Sequence, residues 1–319
     1  MNWQTKAKIQ NAIALLPSEL SYDFYYRLQR KFGGLKQVNP MMRLKAGIDI
    51  CQQMANQGQT PSGKTFLEVG TGRRLNIPIA FWLLGAEKVI TVDLNPYLKR
   101  ELVADDIQFI ATHQPEIEQL FCDTNYDKDR LKTLCNLNQS TWNLPTLMQL
   151  CNFEYLAPGD ATNLKSVSNQ TVDIHTSFTV LEHIPPELIK GLLQEGNRIL
   201  KNDGLFVHLI DHSDHFAHDD NSISTINFLQ YSDKAWQKIA GNRYMYMNRL
   251  RVDDFEAIYH DCNQTILSIE AKIDQNAVTL LQESELNLHE PFASKPVNVL
   301  ATSSSWIVSA KNNAQMRVS

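Results

Sequence analysis

Two stretches of the chain have residue types and spacings that can do chemistry. The first begins Phe66-Leu67-Glu68-Val69-Gly70-Thr71-Gly72-Arg73-Arg74 and, after an apolar helix-like run, ends Val89-Ile90-Thr91-Val92-Asp93-Leu94-Asn95. Gly70 and Gly72 permit a tight turn and a close approach of backbone to a ligand. The helix that opens after them points its free N–H groups at that ligand. Asp93 closes the next apolar run, where its carboxylate can bind a ribose diol; its structural alternative is a helix N-cap with Pro96 in the first turn. A strand, a glycine turn, a helix and a second strand ending in an acid make a unit that holds a nucleoside-containing cofactor. The second stretch, Asp211-His212-Ser213-Asp214-His215-Phe216-Ala217-His218-Asp219-Asp220, is dense in histidine and aspartate. Imidazoles with ordinary pKa values near neutrality suit proton transfer from an acceptor, with Asp211, His212 and His215 as the candidate groups. The same residue types can hold a divalent metal or form a solvated polar loop.

Positioning these residues requires an alternation of strands and helices, the pattern of a parallel doubly wound sheet. Strands are predicted at 65–69, 88–92, 153–157, 172–178, 205–211, 265–272 and 306–311. Residues 1–60 are helical in pattern: Phe24, Tyr25, Leu28 and Phe32 recur at helical spacing, Gly33-Gly34 stops the run, and 41–54 reads as a second amphipathic helix. This segment is expected either to cap the cofactor cleft or to pack outside the sheet. The expected division is an N-terminal helical cap over 1–60 and a catalytic domain over 61–319. That domain carries inserts at about 97–152, of several helices, and at about 212–250. Ligands of open parallel sheets bind beyond the carboxyl ends of the strands, so the segment after the fifth strand is the expected substrate pocket. Residues 275–296 are placed over the same opening.

The glycine spacing discriminates between cofactors. A dinucleotide fingerprint needs a third glycine at position 75, which is Leu75. The run Glu68-Val69-Gly70-Thr71-Gly72-Arg73-Arg74 instead resembles the first motif of class I S-adenosylmethionine (SAM)-dependent methyltransferases, with Arg74 in place of the last glycine. The resemblance continues through Asp93, Gly159-Asp160-Ala161, the strand Val172 to Phe178 with Val180-Leu181-Glu182-His183-Ile184, and the run Asn197 to Phe206. It implies a seven-stranded, mostly parallel Rossmann-like sheet with an antiparallel last strand. It also implies SAM as cofactor, contacted by Glu68, Gly70, Thr71, Gly72, Arg74, Asp93, Leu94, Asp160, Ala161 and Thr176. SAM has a zwitterionic amino-acid end and no phosphate, so Glu68 can serve its ammonium, and Arg73 or Arg74 its carboxylate or an acidic substrate. Either arginine can equally be a surface residue.

Glu182-His183 is a second candidate for acceptor chemistry. Some ubiquinone-pathway O-methyltransferases, which resemble the chain here, bind a metal through Glu-x-x-Glu-His; the first of these glutamates is Thr179 in this sequence. No metal site is therefore expected, although a divalent ion is compatible with the ligand types. His183 reads as a base or substrate contact, or as a helix-start residue bonded to backbone. The run Arg243 to Arg251 can wall a pocket or face the core with a basic side exposed.

Composition bounds the partners. With 30 Lys+Arg against 35 Asp+Glu, a net charge of −5 gives no general attraction to nucleic acid or anionic lipid. Cys51, Cys122, Cys135, Cys151 and Cys262 form no Cys-x-x-Cys pair, which suits reduced thiols in the cytoplasm. No apolar run is long enough to cross a membrane, and no signal peptide is visible. The reading is a cytoplasmic methyltransferase acting on oxygen or nitrogen of a small molecule, such as a specialised metabolite or a sugar-containing intermediate. Its catalytic candidates are His183, Asp211, His212 and His215. The alternatives are an NAD-dependent dehydrogenase of Rossmann fold and a non-catalytic SAM-binding protein. Oligomeric state is not legible.

Overall fold

The structure, a computed structural model, describes residues 2–137 and 143–312. The elements run α1 (Trp3–Ala14), α2 (Ser18–Phe32), α3 (Met41–Ala55), β1 (Thr65–Val69), α4 (Asn76–Leu83), β2 (Lys88–Val92), α5 (Arg100–Thr112), α6 (Gln114–Leu120), α7 (Lys128–Cys135), α8 (Leu144–Cys151), β3 (Phe153–Leu156) and β4 (Val172–Phe178). They continue with α9 (Pro186–Ile199), β5 (Leu200–Asp211), α10 (Asp233–Ala240), α11 (Val252–Asp261), β6 (Gln264–Ile273), α12 (Gln275–Gln282), α13 (Glu290–Ala293), α14 (Val297–Leu300) and β7 (Thr302–Lys311).

The seven strands form one sheet in the order β3-β2-β1-β4-β5-β7-β6. β1 to β5 are parallel and β7 runs antiparallel to both its neighbours, so the expected fold class holds. The central strands are buried on both faces: β1 reads Phe66, Leu67, Glu68, Val69, all buried, which a sheet sandwiched by helices requires. β5 starts five residues earlier than predicted, at Leu200. Lys201, Asn202 and Asp203 break the apolar pattern there, yet Leu200 still pairs with Val172.

Two apolar clusters cover the sheet. One joins α3 and α4 to the α5–α8 helices, through residues such as Leu44, Ile50, Phe81, Ile107 and Leu147. The other sets α9 and α11 against the strands through Leu192, Leu193, Phe255 and Tyr259. A third cluster stands apart from the sheet and is built from remote segments: Trp3 and Ala7 of α1, Phe216 to Met247 after β5, and Ala277, Phe292 and Leu300 between β6 and β7. The N-terminal 60 residues thus divide. α3 packs on α4 beside the sheet, while α1 joins the segments that follow β5 and β6.

The 97–152 stretch supplies α5 to α8, the several helices expected; residues 138–142 within it, and 313–319 of the proposed catalytic domain, lie outside the described residues. Asp93 is no helix cap, because α5 begins only at Arg100, with Lys99 at its N-cap. No helix among the described residues is long and apolar enough to cross a membrane.

Candidate active site

The sheet order reverses direction between β1 and β4, and the crevice of a doubly wound fold opens at that switch point. The loops leaving these two strands touch there. Gly70, at φ +90°, lies so close to Val180 that an added Cβ would stand 2.5 Å from Val180 Cγ2. Gly72 also sits at positive φ, +66°, but its missing Cβ faces open space. Glycine at 70 is therefore demanded by contact as well as by backbone, and at 72 by backbone alone.

The turn borders a cavity of about 390 Å³ lined by Glu68, Gly70, Thr71, Gly72, Arg73 and Arg74 from the first motif, and by Gly34, Gln37, Asn39 and Arg43 from the N-terminal segment. Glu68 is buried under the turn and accepts 2.6 Å from Thr91 Oγ1; the hydroxyls of Thr71 and Thr91 are bonded in turn. Burial pushes the Glu68 carboxyl up to about 8 against the pull of Thr91 and Arg43. Asp93 accepts from Gly72 N–H at 2.8 Å and from Asn95 N–H at 3.2 Å, so it braces the turn while keeping acceptor capacity for a ribose. Leu94 beside it is 71% exposed, free to cover a ligand face. Asp160 closes a local turn by accepting from Thr162 N–H and Oγ1, with half-buried Ala161 next to it. Leu75 is fully buried at the start of α4, in the place where a dinucleotide turn would need glycine.

Two members of the expected cofactor set are engaged elsewhere. Arg74 pairs with buried Asp106 of α5 and donates to Leu102 O, which turns its charge toward α5. Thr176 is fully buried inside the sheet, in register with Glu68, and donates to Val207 O at 2.7 Å. In their stead the structure offers two arginines. Arg73 stands over the Tyr26 ring at 5.2 Å, facing the tyrosines 25, 97 and 244, with no carboxylate paired to it among the described residues. Arg43, on α3, stands over the Phe178 ring at 5.3 Å and feels both Glu68 and Glu182. Arg73 was legible from the motif; Arg43 had no motif to mark it.

The Asp-His stretch serves three uses. His212 is a strut: buried, it shares hydrogen bonds from Nδ1 to Leu250 O and from Nε2 to Ser305 Oγ, and burial with Arg251 nearby lowers its pKa to about 3. With both ring nitrogens engaged it has no capacity as a base, contrary to expectation. Asp214 is buried and accepts from Phe216 N–H and Asn227 Nδ2, while Asp219 and Asp220 fasten α1 through Lys6 and Trp3 N–H. Asp211, His215 and His218 face one another. Asp211 Oδ2 lies 3.3 Å from His215 Nε2 and 3.7 Å from His218 Nε2. Burial alone would raise Asp211, but the facing His215 imidazole and the bonds from Ser213 carry it down to about 2.

The 3-10 turn Leu181–His183, reached through Thr179 in the left-handed region at φ +53°, brings His183 beside this group. The His183 and His215 ring centroids are 4.9 Å apart. His183 Nδ1 bonds Tyr246 O at 2.8 Å; a carbonyl only accepts, so Nδ1 carries the proton and Nε2 keeps a free lone pair, open to a proton or to another Lewis acid. Asn248 clasps the same turn, donating from Nδ2 to Leu181 O and Ile184 O and from N–H to Glu182 O. Hence the Arg243 to Arg251 run is mostly frame, with Tyr244 left near Arg73: Met245 and Met247 enter the third cluster, Tyr246 and Asn248 hold the turn, and buried Arg249 and Arg251 donate to backbone carbonyls. A second cavity, of about 500 Å³, opens beside Asp211, Ser213 and His218 and is walled by Thr225, Lys272 and Ser304.

Residues 124–208 match a family model described as a methyltransferase domain; this span takes in β3, β4 and the 3-10 turn but not the glycine turn. No curated protein matches the chain. Among solved structures the chain is similar to magnesium protoporphyrin IX methyltransferase from Synechocystis with bound SAH, at 12% identity over 97% of this chain and 99% of that one, TM-score 0.44. It is also similar to an S-adenosylmethionine-dependent methyltransferase from Mesorhizobium loti, at 10% identity over 82% and 96%, TM-score 0.41. A third is geranyl diphosphate C-methyltransferase from Streptomyces coelicolor, at 10% identity over 83% and 77%, TM-score 0.45.

Proposed function

We propose that this chain is a class I SAM-dependent methyltransferase, a reading supported by the methyltransferase-domain match over residues 124–208 and by the sheet order, and that it methylates oxygen or nitrogen of a small molecule, such as a specialised metabolite or a sugar-containing intermediate. The observation that carries the reading is the contact of Gly70 with Val180. It sets the cavity under the glycine turn, on one side of the switch point, against the segment that leads to Glu182 and His183 on the other.

The cavity fits the cofactor on its own chemistry. A buried carboxylate under the turn suits an ammonium, an arginine on α3 suits a carboxylate, and a cradle with no phosphate-binding third glycine suits a nucleoside without a diphosphate. In this reading Glu68 and Arg43 hold the amino-acid end, Asp93 the ribose, and Leu94 and Ala161 the adenine. When bound, SAM supplies a methyl group already activated by its sulfonium. The protein's part is alignment and, for a protonated acceptor, proton removal. Asp211, His183 and His215 are the groups placed for the second task, with Arg73 and its tyrosines facing the acceptor. Arg74, Thr176 and His212 hold the frame.

The test is direct. Calorimetry of the purified chain is expected to show SAM binding, and incubation with methyl-labelled SAM and host metabolites to yield a labelled product by mass spectrometry. Absence of SAM binding would refute the reading.

A further inference from the structure

Glu182 is the least explained side chain in the site. It is 2% exposed, and among the described residues no side chain donates a hydrogen bond to either carboxylate oxygen; only the backbone N–H groups of Glu182 and Asp211 bear on it. A buried carboxylate with no paired cation is costly, and Arg43, whose charge bears on it, makes no bond with it. Two imidazoles stand within reach of it. One ligand atom each from Glu182, His183 and His215 lie within 4.8 Å of one another.

The individual groups are prepared in the way metal ligands are. His183 gives its Nδ1–H to a backbone carbonyl at 2.8 Å, which fixes the ring and leaves Nε2 bare; this is the usual outer support of a ligating histidine. His215 Nε2 is buried and faces Asp211 Oδ2 at 3.3 Å, an ion-pair distance without hydrogen-bond geometry. The turn that carries Glu182 and His183 is fastened at three points by Asn248, so two of the three ligands sit on a rigid support. A tetrahedral ion with bonds of about 2.1 Å places its ligand atoms roughly 3.4 Å apart, a closure that side-chain rotation can supply.

We propose that Glu182, His183 and His215 form a binding site for one divalent transition-metal ion, with Asp211 flanking His215 and an open position toward the acceptor; with the ion bound the two imidazoles serve as ligands rather than as bases. Two imidazoles and one carboxylate select zinc, cobalt or iron over magnesium, which takes oxygen ligands. The ion neutralises the orphaned carboxylate and offers an oxygen donor of the acceptor a Lewis acid beside the cofactor cavity. The site rests on the reading of this cluster as the acceptor-facing part of the active centre. A second grouping, Asp211, His215 and His218, shares His215, but Ser213 Oγ already bonds His218 Nε2 at 2.8 Å.

The test uses the full chain, stripped with a chelator. Titration with zinc by calorimetry, and with cobalt by its visible absorption, is expected to show one equivalent bound and a raised Tm. Glu182→Gln and His215→Ala are each expected to weaken zinc at least tenfold, with His218→Ala unchanged. Glu182→Gln replaces a buried charge by an isostere, so its metal-free Tm should equal or exceed that of the parent, which shows that lost binding is not lost folding. No stoichiometric binding by the parent chain would overturn the site, as would binding that both substitutions leave intact. Loss of binding only in His218→Ala would overturn this ligand set in favour of the other grouping. SAM affinity is measured in the same samples. SAM bound without zinc sinks the metal site and leaves the methyltransferase reading standing; zinc bound without SAM does the reverse.

Discussion

The cofactor cavity and the histidine cluster lie on either side of one glycine–valine contact, yet they are built on opposite plans. The cavity is mostly local. Glu68, Gly70, Gly72 and Arg73 fall within six consecutive residues, and Asp93 reaches them from the neighbouring strand in the same sheet. The cluster is assembled from the turn after β4, the loop after β5 and the clasp at Tyr246 and Asn248. A local site tolerates loss of distant packing but no change in its own backbone. An assembled site should behave in the opposite way.

The sharpest break in this comparison is Gly70→Val. The left-handed backbone is strained for a β-branched residue, at about 1–3 kcal/mol, and the new side chain would drive into Val180. Because Val180 leads into the turn bearing Glu182 and His183, both halves should fail together. SAM affinity is expected to fall more than about 100-fold, roughly 2.7 kcal/mol, with turnover lost. Retained SAM affinity by calorimetry would show that the turn is not the shared hinge of the two halves.

Adjacent arginines sharpen it further. Arg74→Ala strands the carboxylate of Asp106, which is 1% exposed; breaking a buried pair in this way costs about 3–5 kcal/mol, read as a fall in denaturation midpoint. Arg73→Ala removes no ion pair and should barely move the midpoint, while weakening SAM or acceptor binding about tenfold. Equal midpoints for the two variants would count against the division of labour.

The sequence showed the local plan far better than the assembled one. Alternating apolar runs and glycine stops located all seven strands, because a sheet covered on both faces imposes long apolar segments. It did not distinguish Arg73 from Arg74, since the partner that decides, Asp106, lies a helix away. It named Thr176 through the family resemblance, although that hydroxyl is consumed by the next strand. His212 and His215 looked equivalent in a run of like residues. They differ only because β7 and the segment before α11 close over one and not the other. Arg43 and the unpaired state of Glu182 were invisible, as each depends on what the fold leaves beside it.

Glu68 gives a pH signature particular to the local site. Burial raises its folded value from the ordinary 4.5 to about 8, so its favourable contribution is full below pH 4.5 and drains away as pH rises toward 8. The cofactor-free chain should lose stability over that window, and Glu68→Gln should flatten the loss. Arg43 and Asp93, the charged groups that bear on it, act in opposite directions. Pairing with an α-ammonium, whose own pKa is about 7.7–8.0, needs one proton shared between the two groups. SAM affinity should therefore peak near pH 8 and weaken about tenfold or more by pH 6. A flat profile in the parent chain, measured calorimetrically, would remove Glu68 from the cofactor's amino end.

The smallest expected effect probes the assembled site. Asn248→Ala deletes the two side-chain bonds to Leu181 O and Ile184 O, at 2.8 and 2.9 Å, and keeps the backbone bond to Glu182 O. Each neutral bond contributes about 0.5–1.5 kcal/mol, so the midpoint should shift modestly and the fold should persist. The cluster, however, depends on where this turn holds His183. A displacement of a fraction of an ångström should lower turnover several-fold while SAM affinity stays within about twofold, because nothing at 248 supports the glycine turn. A parallel loss of SAM affinity would mean that the two regions are mechanically one, and that the contrast between a local and an assembled half describes their origin in sequence but not their behaviour.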